Sequence, residues 1–90
     1  MAGPVTPDEL REAVLRAVRA RGPRKSICPS EVARAVAPED WRPLMSRVRA
    51  AAAELSRDGR VVILRKGKPI PAEEMHGVIR LAAPDGEAAP

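Results

Sequence analysis

Between Ser26 and Pro69, proline and glycine breaks divide short runs of helical and β-favouring residues, and their order leaves few folds open. Cys28-Pro29-Ser30-Glu31 is a helix start. Proline suits the first helical position, and a glutamate in the first turn suits the helix dipole. Val32, Ala33 and Val36 give this helix an apolar side, and Pro38 breaks it. Pro38-Glu39-Asp40 makes a turn, with Asp40 placed to cap the next helix. From Trp41 to Arg57, Leu44, Val48, Ala51, Ala52 and Leu55 return at helical spacing, and Pro43 is tolerated because it falls in the first turn. Asp58-Gly59 ends that helix and leads into Arg60 to Arg65, whose Val-Val-Ile-Leu centre favours a strand. The strand runs into a basic loop, Arg65-Lys66-Gly67-Lys68-Pro69. This order is that of a helix-turn-helix followed by a β-wing.

Ahead of this unit, Thr6-Pro7-Asp8-Glu9 predicts another helix, with Thr6 as N-cap, Pro7 at the first helical position and Glu9 completing a capping box. Leu10, Val14, Ala17 and Val18 form its stripe, Glu12 and Arg16 are spaced to pair on the solvent side, and Gly22-Pro23 ends it. Ser26-Ile27-Cys28 is spaced to pair as a short strand with the wing. A loop over residues 66–77 then leads to a second strand, Val78 to Leu81. The expected fold is mainly α within the α+β class: a winged helix-turn-helix of three helices and a small antiparallel β-wing. It forms one domain over residues 6–81, flanked by disordered termini at 1–5 and 82–90. Trp41 is the lone aromatic, so aliphatics and alanine must build the core.

The net charge of +4 is unevenly spread. Residues 1–68 carry 15 Lys and Arg against 8 Asp and Glu, or +7, and residues 69–90 carry 1 against 4, or −3. A basic domain is the footprint expected of a polyanion binder. The same Arg-rich, Ala-rich and Pro-rich composition also arises in a GC-rich genome, so charge alone does not choose a ligand. Without Phe or Tyr the chain lacks the aromatic platforms on which single-strand and RNA modules stack bases, which favours a duplex. One cysteine excludes an internal disulfide, and with a single histidine there is no Cys-based zinc site; no cofactor is expected. No apolar run approaches the roughly 18 residues of a membrane span, and no charged-then-apolar leader opens the chain, so a cytoplasmic protein away from membranes is expected. No phosphate-binding glycine loop or nucleophile–base pair is visible, and an enzyme is not expected.

Arg42, Ser46, Arg49 and Ala53 recur at helical spacing away from the buried stripe. Donors on such a face suit phosphates and base edges, and small residues such as Ala50 and Ala53 allow close approach to DNA. Arg65, Lys66 and Lys68 concentrate charge in a compact wing, and Lys25, with Arg24, adds a further phosphate contact. The plain alternatives are a solvated helix face and a solubilising loop. Trp41 is expected to wedge between helices, Glu31 and Arg34 to pair, and His76 to sit in a loop. Cys28 at a helix N-terminus is a small capping residue or, alternatively, a responsive thiol.

Ser26-Ile27-Cys28-Pro29-Ser30-Glu31-Val32-Ala33-Arg34, with Trp41-Arg42-Pro43-Leu44-Met45, Val48-Arg49 and Lys66-Gly67-Lys68-Pro69, resembles a family of small bacterial proteins, domain of unknown function 3253. The resemblance covers nearly all of the chain from Pro7 to Leu81. It implies a fold similar to winged-helix domains and brings no catalytic residues with it. Its signature centres on the second helix and Trp41-Arg42, which keeps open a binding site built from Cys28, Ser30, Arg34, Trp41 and Arg42. The expected function is duplex-DNA binding, as in a transcription regulator; the first alternative is docking of a protein partner through Trp41 or the alanine-rich helix face, and the second a thiol- or ligand-responsive domain using Cys28. Monomer and weak homodimer both fit.

Overall fold

The computed structural model describes residues 5–84. Helix α1, Pro7–Arg21, opens on the expected capping box: Thr6 Oγ1 accepts from the Glu9 N–H at 3.1 Å, and Glu9 Oε1 accepts from the Thr6 N–H at 2.8 Å. Leu10, Val14, Leu15 and Val18 are its buried residues. Helix α2, Pro29–Val36, buries Pro29, Val32 and Ala33. The third helix does not start at Trp41. A 3-10 turn, Arg42–Leu44, leads into α3, Met45–Arg57. Pro43 has no N–H to donate, and the entry tightens into a 3-10 turn closed by the Leu44 N–H on the Trp41 carbonyl at 2.9 Å. Trp41, not Asp40, occupies the cap position of that turn.

Four strands form one sheet: β1, Ser26–Ile27; β2, Val62–Arg65; β3, Lys68–Ile70; and β4, Arg80–Ala82. Their order is β1-β4-β2-β3, and each neighbouring pair is antiparallel. β1 thus pairs with β4, between the helical half and the wing. The stretch expected to be a single loop over 66–77 contains β3 and a 3-10 turn, Ala72–Glu74. Arg65 pairs with Lys68 across a two-residue turn in which Lys66 has φ 53 and Gly67 φ 79. Positive φ at both positions is the turn that matches strand twist in tight hairpins. Pro69 is tolerated in β3 because this is an edge strand, where no ladder partner lacks a donor.

The last strand begins at Arg80 rather than Val78. Gly77, at φ 68, turns the chain and leaves Val78 86% exposed. The strand also runs past its expected end. Ala82 pairs with both Ser26 and Val62, while Ala83 and Val5 pack against the core. Val5, Ala82 and Ala83 therefore belong to the domain rather than to its termini, because the sheet and the core need them. Residues 1–4 and 85–90 lie outside the described residues.

The core sits between the helices and the inner face of the sheet. Leu10, Val14, Val32, Val48 and Leu55 meet Ile27, Ile63, Ile79 and Leu81, each at most 1% exposed. Full burial of such side chains is worth about 1.5–3 kcal/mol apiece. Polar ties reinforce the helix contacts. Arg11 bridges Asp8 and Glu54, joining α1 to α3, and Arg21 joins Glu31 of α2 and the Ser26 carbonyl. The Glu54 hydrogen bond, with Asp8 adding to it, pushes the Arg11 guanidinium above its ordinary pKa. Neither local pair expected along the helices forms. Glu31 is taken by Arg21 and by the Cys28 N–H, at 2.9 Å, which leaves Arg34 free of it. Glu12 and Arg16 remain apart in water, where such a pair is worth only a few tenths of a kcal/mol. Three helices with this small antiparallel sheet make an α+β domain of winged-helix-like layout. No helix among the described residues is long and apolar enough to cross a membrane.

Candidate nucleic-acid interface

The corner between α2 and α3 gathers three of the expected residues. Trp41 is half-buried against the core, as an anchor between helices should be. Over its ring lie two guanidinium groups: the Arg34 carbon is 4.5 Å from the centroid and the Arg42 carbon 4.7 Å. Both arginines are exposed, and neither makes a hydrogen bond or ion pair among the described residues. Stacking on an aromatic face leaves the donor edge of a guanidinium open. Two guanidinium groups without hydrogen-bond or ion-pair partners among the described residues are thus gathered at one exposed corner.

The rest of the arginine row on α3 is differently placed. Arg49 is half-buried, and its Nη2 donates to the Met75 carbonyl at 3.4 Å. Ala53, one turn on, is buried. Arg57 reaches Glu73 at 3.5 Å. The segment carrying the 3-10 turn Ala72–Glu74 is folded back over this side of α3, with Ala72 buried beneath it. The expected groove face of Arg42, Ser46, Arg49 and Ala53 is therefore covered along its C-terminal half, because the chain after the wing uses it for packing. Its N-terminal half, Arg42 and Ser46, stays exposed, and Ala50 with it. Arg47 donates to the Val5 carbonyl and helps hold the start of the chain.

At the wing, Arg65 is half-buried and donates to the Glu74 carbonyl at 3.0 Å, so it too holds the folded-back segment. Lys66 and Lys68, on either side of Gly67, are exposed and without a partner among the described residues. Lys25 and Arg24 are likewise exposed and line a groove on the outer face of the sheet that also touches Gly67 and Pro69. Between these rims Arg80 is tied to the Ser26 hydroxyl at 2.7 Å and the Ser26 carbonyl at 2.9 Å. Of the cations considered for this interface, those without a hydrogen-bond or ion-pair partner among the described residues are Arg34 and Arg42 at the helical corner, Lys66 and Lys68 at the wing tip, and Arg24 and Lys25 at the sheet rim. Arg49 and Arg65 join the first two groups, since they grip adjacent carbonyls of one loop.

Residues 7–84 match the model of the family described as protein of unknown function (DUF3253). The chain belongs to the DUF3253 family. The match runs from the start of α1 to just beyond β4, so the whole winged-helix-like unit is the DUF3253 domain. No curated protein matches the chain.

Within the DUF3253 domain the site suggested by the family signature divides in two. Arg34, Trp41 and Arg42 come together, whereas Cys28 and Ser30 form a separate pair at the start of α2, where the Ser30 hydroxyl donates to Cys28 Sγ at 3.1 Å. The thiol is half-buried and occupied in that contact. His76 is exposed, and its backbone N–H closes on the Glu74 carbonyl at 2.9 Å. No group of His, Cys, Asp and Glu among the described residues is arranged to hold a metal ion. The family signature groups Arg34, Trp41 and Arg42, but helical spacing matches Arg34 to its neighbour Glu31 and does not show its contact with Trp41. The signal available is that Trp41 is the lone aromatic in a chain with many arginines.

Proposed function

We propose that this DUF3253 protein binds duplex DNA, mainly through the phosphate backbone. The observation that carries this reading is the pair of unpartnered guanidinium groups, Arg34 and Arg42, held on Trp41 at the entry to α3. In a helix-turn-helix the start of the second helix of the motif is the part that meets the duplex. Lys66 and Lys68 supply a second contact at the wing tip, and Lys25 a third at the sheet rim. Ser46, Arg47 and Ala50 are the exposed positions of α3 nearest that entry, and Arg47 is engaged at the Val5 carbonyl. With Arg49 engaged at Met75, base-edge donors are few. Binding should therefore favour duplex geometry over one sequence.

Titration of a random-sequence duplex at several salt concentrations, followed by fluorescence anisotropy, tests this. Five contacts from Arg34, Arg42, Lys25, Lys66 and Lys68 predict a slope of log K against log salt of about −4.5. Replacing both Lys66 and Lys68 by alanine should flatten the slope by about 2 while the domain stays folded. An unchanged slope removes the wing from the interface, and no measurable binding at low salt removes the proposal.

A second reading is docking of a protein segment on the same corner, through the apolar surface of Trp41. It is favoured by the cover over α3: buried Ala53 and the neighbouring Glu73 shorten the helix face a groove would receive. It predicts binding that depends on Trp41 and tolerates salt better than a duplex contact does.

A further inference from the structure

Along the outward side of α1, beside the C-terminal end of α2, runs a groove of about 840 Å³. Ala13, Ala17, Ala35 and Val36 give it an apolar floor, and Glu12 and Arg16 stand on its wall. Both charged side chains are exposed, and neither makes a hydrogen bond or ion pair among the described residues, although they are one turn apart on a single helix. We infer that this groove is the interface of a weak two-fold homodimer, in which α1 of one copy lies antiparallel in the groove of the other.

The argument is charge complementarity under a two-fold. Residues of a helix rise by about 1.5 Å each. A two-fold axis perpendicular to α1 and passing beside it at the level of Val14 therefore sets Glu12 of one copy level with Arg16 of the second, and the symmetry repeats the pair. The same operation brings Glu9 level with Arg19, so the acidic first half of α1 faces the basic second half. A two-fold interface must be self-complementary, with each patch meeting its own opposite, and this helix carries that pattern. The small side chains of the floor permit helix axes to approach within about 8–10 Å. Asp8, Glu9 and Glu12 border the same groove and repel a polyanion, so this surface is separate from the proposed DNA contacts. The dimer does not depend on that reading.

Sedimentation velocity of the full chain tests it, over roughly 10 µM to 1 mM, the range in which a contact of one helix pair is expected to dissociate. The wild-type chain should shift from monomer to dimer with concentration. Glu12→Arg and Arg16→Glu, each alone, should stay monomeric across the range, with circular dichroism melts showing that both remain folded. An equimolar mixture of these two variants should form a heterodimer, because one supplies only cations and the other only anions at the two positions. The double variant carrying both reversals should dimerise as the wild type does. A wild-type chain that remains monomeric at every concentration overturns the inference and leaves the groove to another protein. Single variants that dimerise as well as the wild type, or a mixture that fails to associate, also overturn it.

Discussion

At the corner of α2 and α3, Arg34 and Arg42 rest on an indole with their donor edges in water; at the root of the wing, Arg49 and Arg65 grip the carbonyls of Met75 and Glu74. The residue type is the same and the surroundings decide its use. A carbonyl consumes donors and converts charge into local order. An aromatic face orients the guanidinium and leaves its hydrogen-bonding capacity unspent. An arginine-rich surface therefore has to be read donor by donor before it is called a binding face.

The largest test of this contrast is an exchange of double variants. Arg34→Ala with Arg42→Ala should weaken duplex binding at low salt by on the order of a hundredfold, since each charged contact is worth about 1.5 kcal/mol or more, and should lower stability by only about 1 kcal/mol, from the lost cation–π contacts. Arg49→Ala with Arg65→Ala should do the reverse. Chemical denaturation is expected to show a loss of about 2 kcal/mol, with faster amide exchange across Ala72 to Met75, while the salt slope of DNA binding holds. If both pairs behave alike, the division between them fails.

Two smaller effects sharpen it. Trp41→Leu keeps an apolar wedge but removes the ring, and should weaken DNA binding severalfold, matching a cation–π worth of about 0.5–1 kcal/mol per arginine. Lys66→Asn separates charge from backbone. Asparagine tolerates the left-handed conformation that Lys66 adopts at φ 53, so thermal melts should show a gain of a few tenths of a kcal/mol, while duplex affinity falls about two- to threefold.

The helices are legible because their signals are local. Thr6 and Glu9 cap α1, Pro29 opens α2, and Val48, Ala51, Ala52 and Leu55 mark the buried side of α3, all as their spacing requires. The segment from Lys66 to Ile79 is not legible as a whole. Pro69 reads as a loop residue unless one knows that its strand lies at an edge, and edge position is a property of the assembled sheet. The two-residue Lys-Gly turn is the clue on offer. The orientation of Arg49 and Ala53 is hidden for a related reason: helical spacing identifies a side of α3, but only tertiary packing decides that Ala72 and its neighbours cover it. Of the candidate site, Arg42, Ser46, Lys25, Lys66 and Lys68 are picked out by charge and position, and all five are exposed. Spacing alone gives Arg34 the wrong partner.

The strand order β1-β4-β2-β3 has a consequence for biogenesis. β4, the last strand in chain order among the described residues, occupies an interior place, flanked by β1 and β2. A nascent chain therefore carries Ile27 and Ile63 without their eventual bridge until Leu81 arrives between them. Assembly of this domain awaits its final segment, and fragments stopping before Arg80 would display unpaired strand edges open to chaperone capture or aggregation.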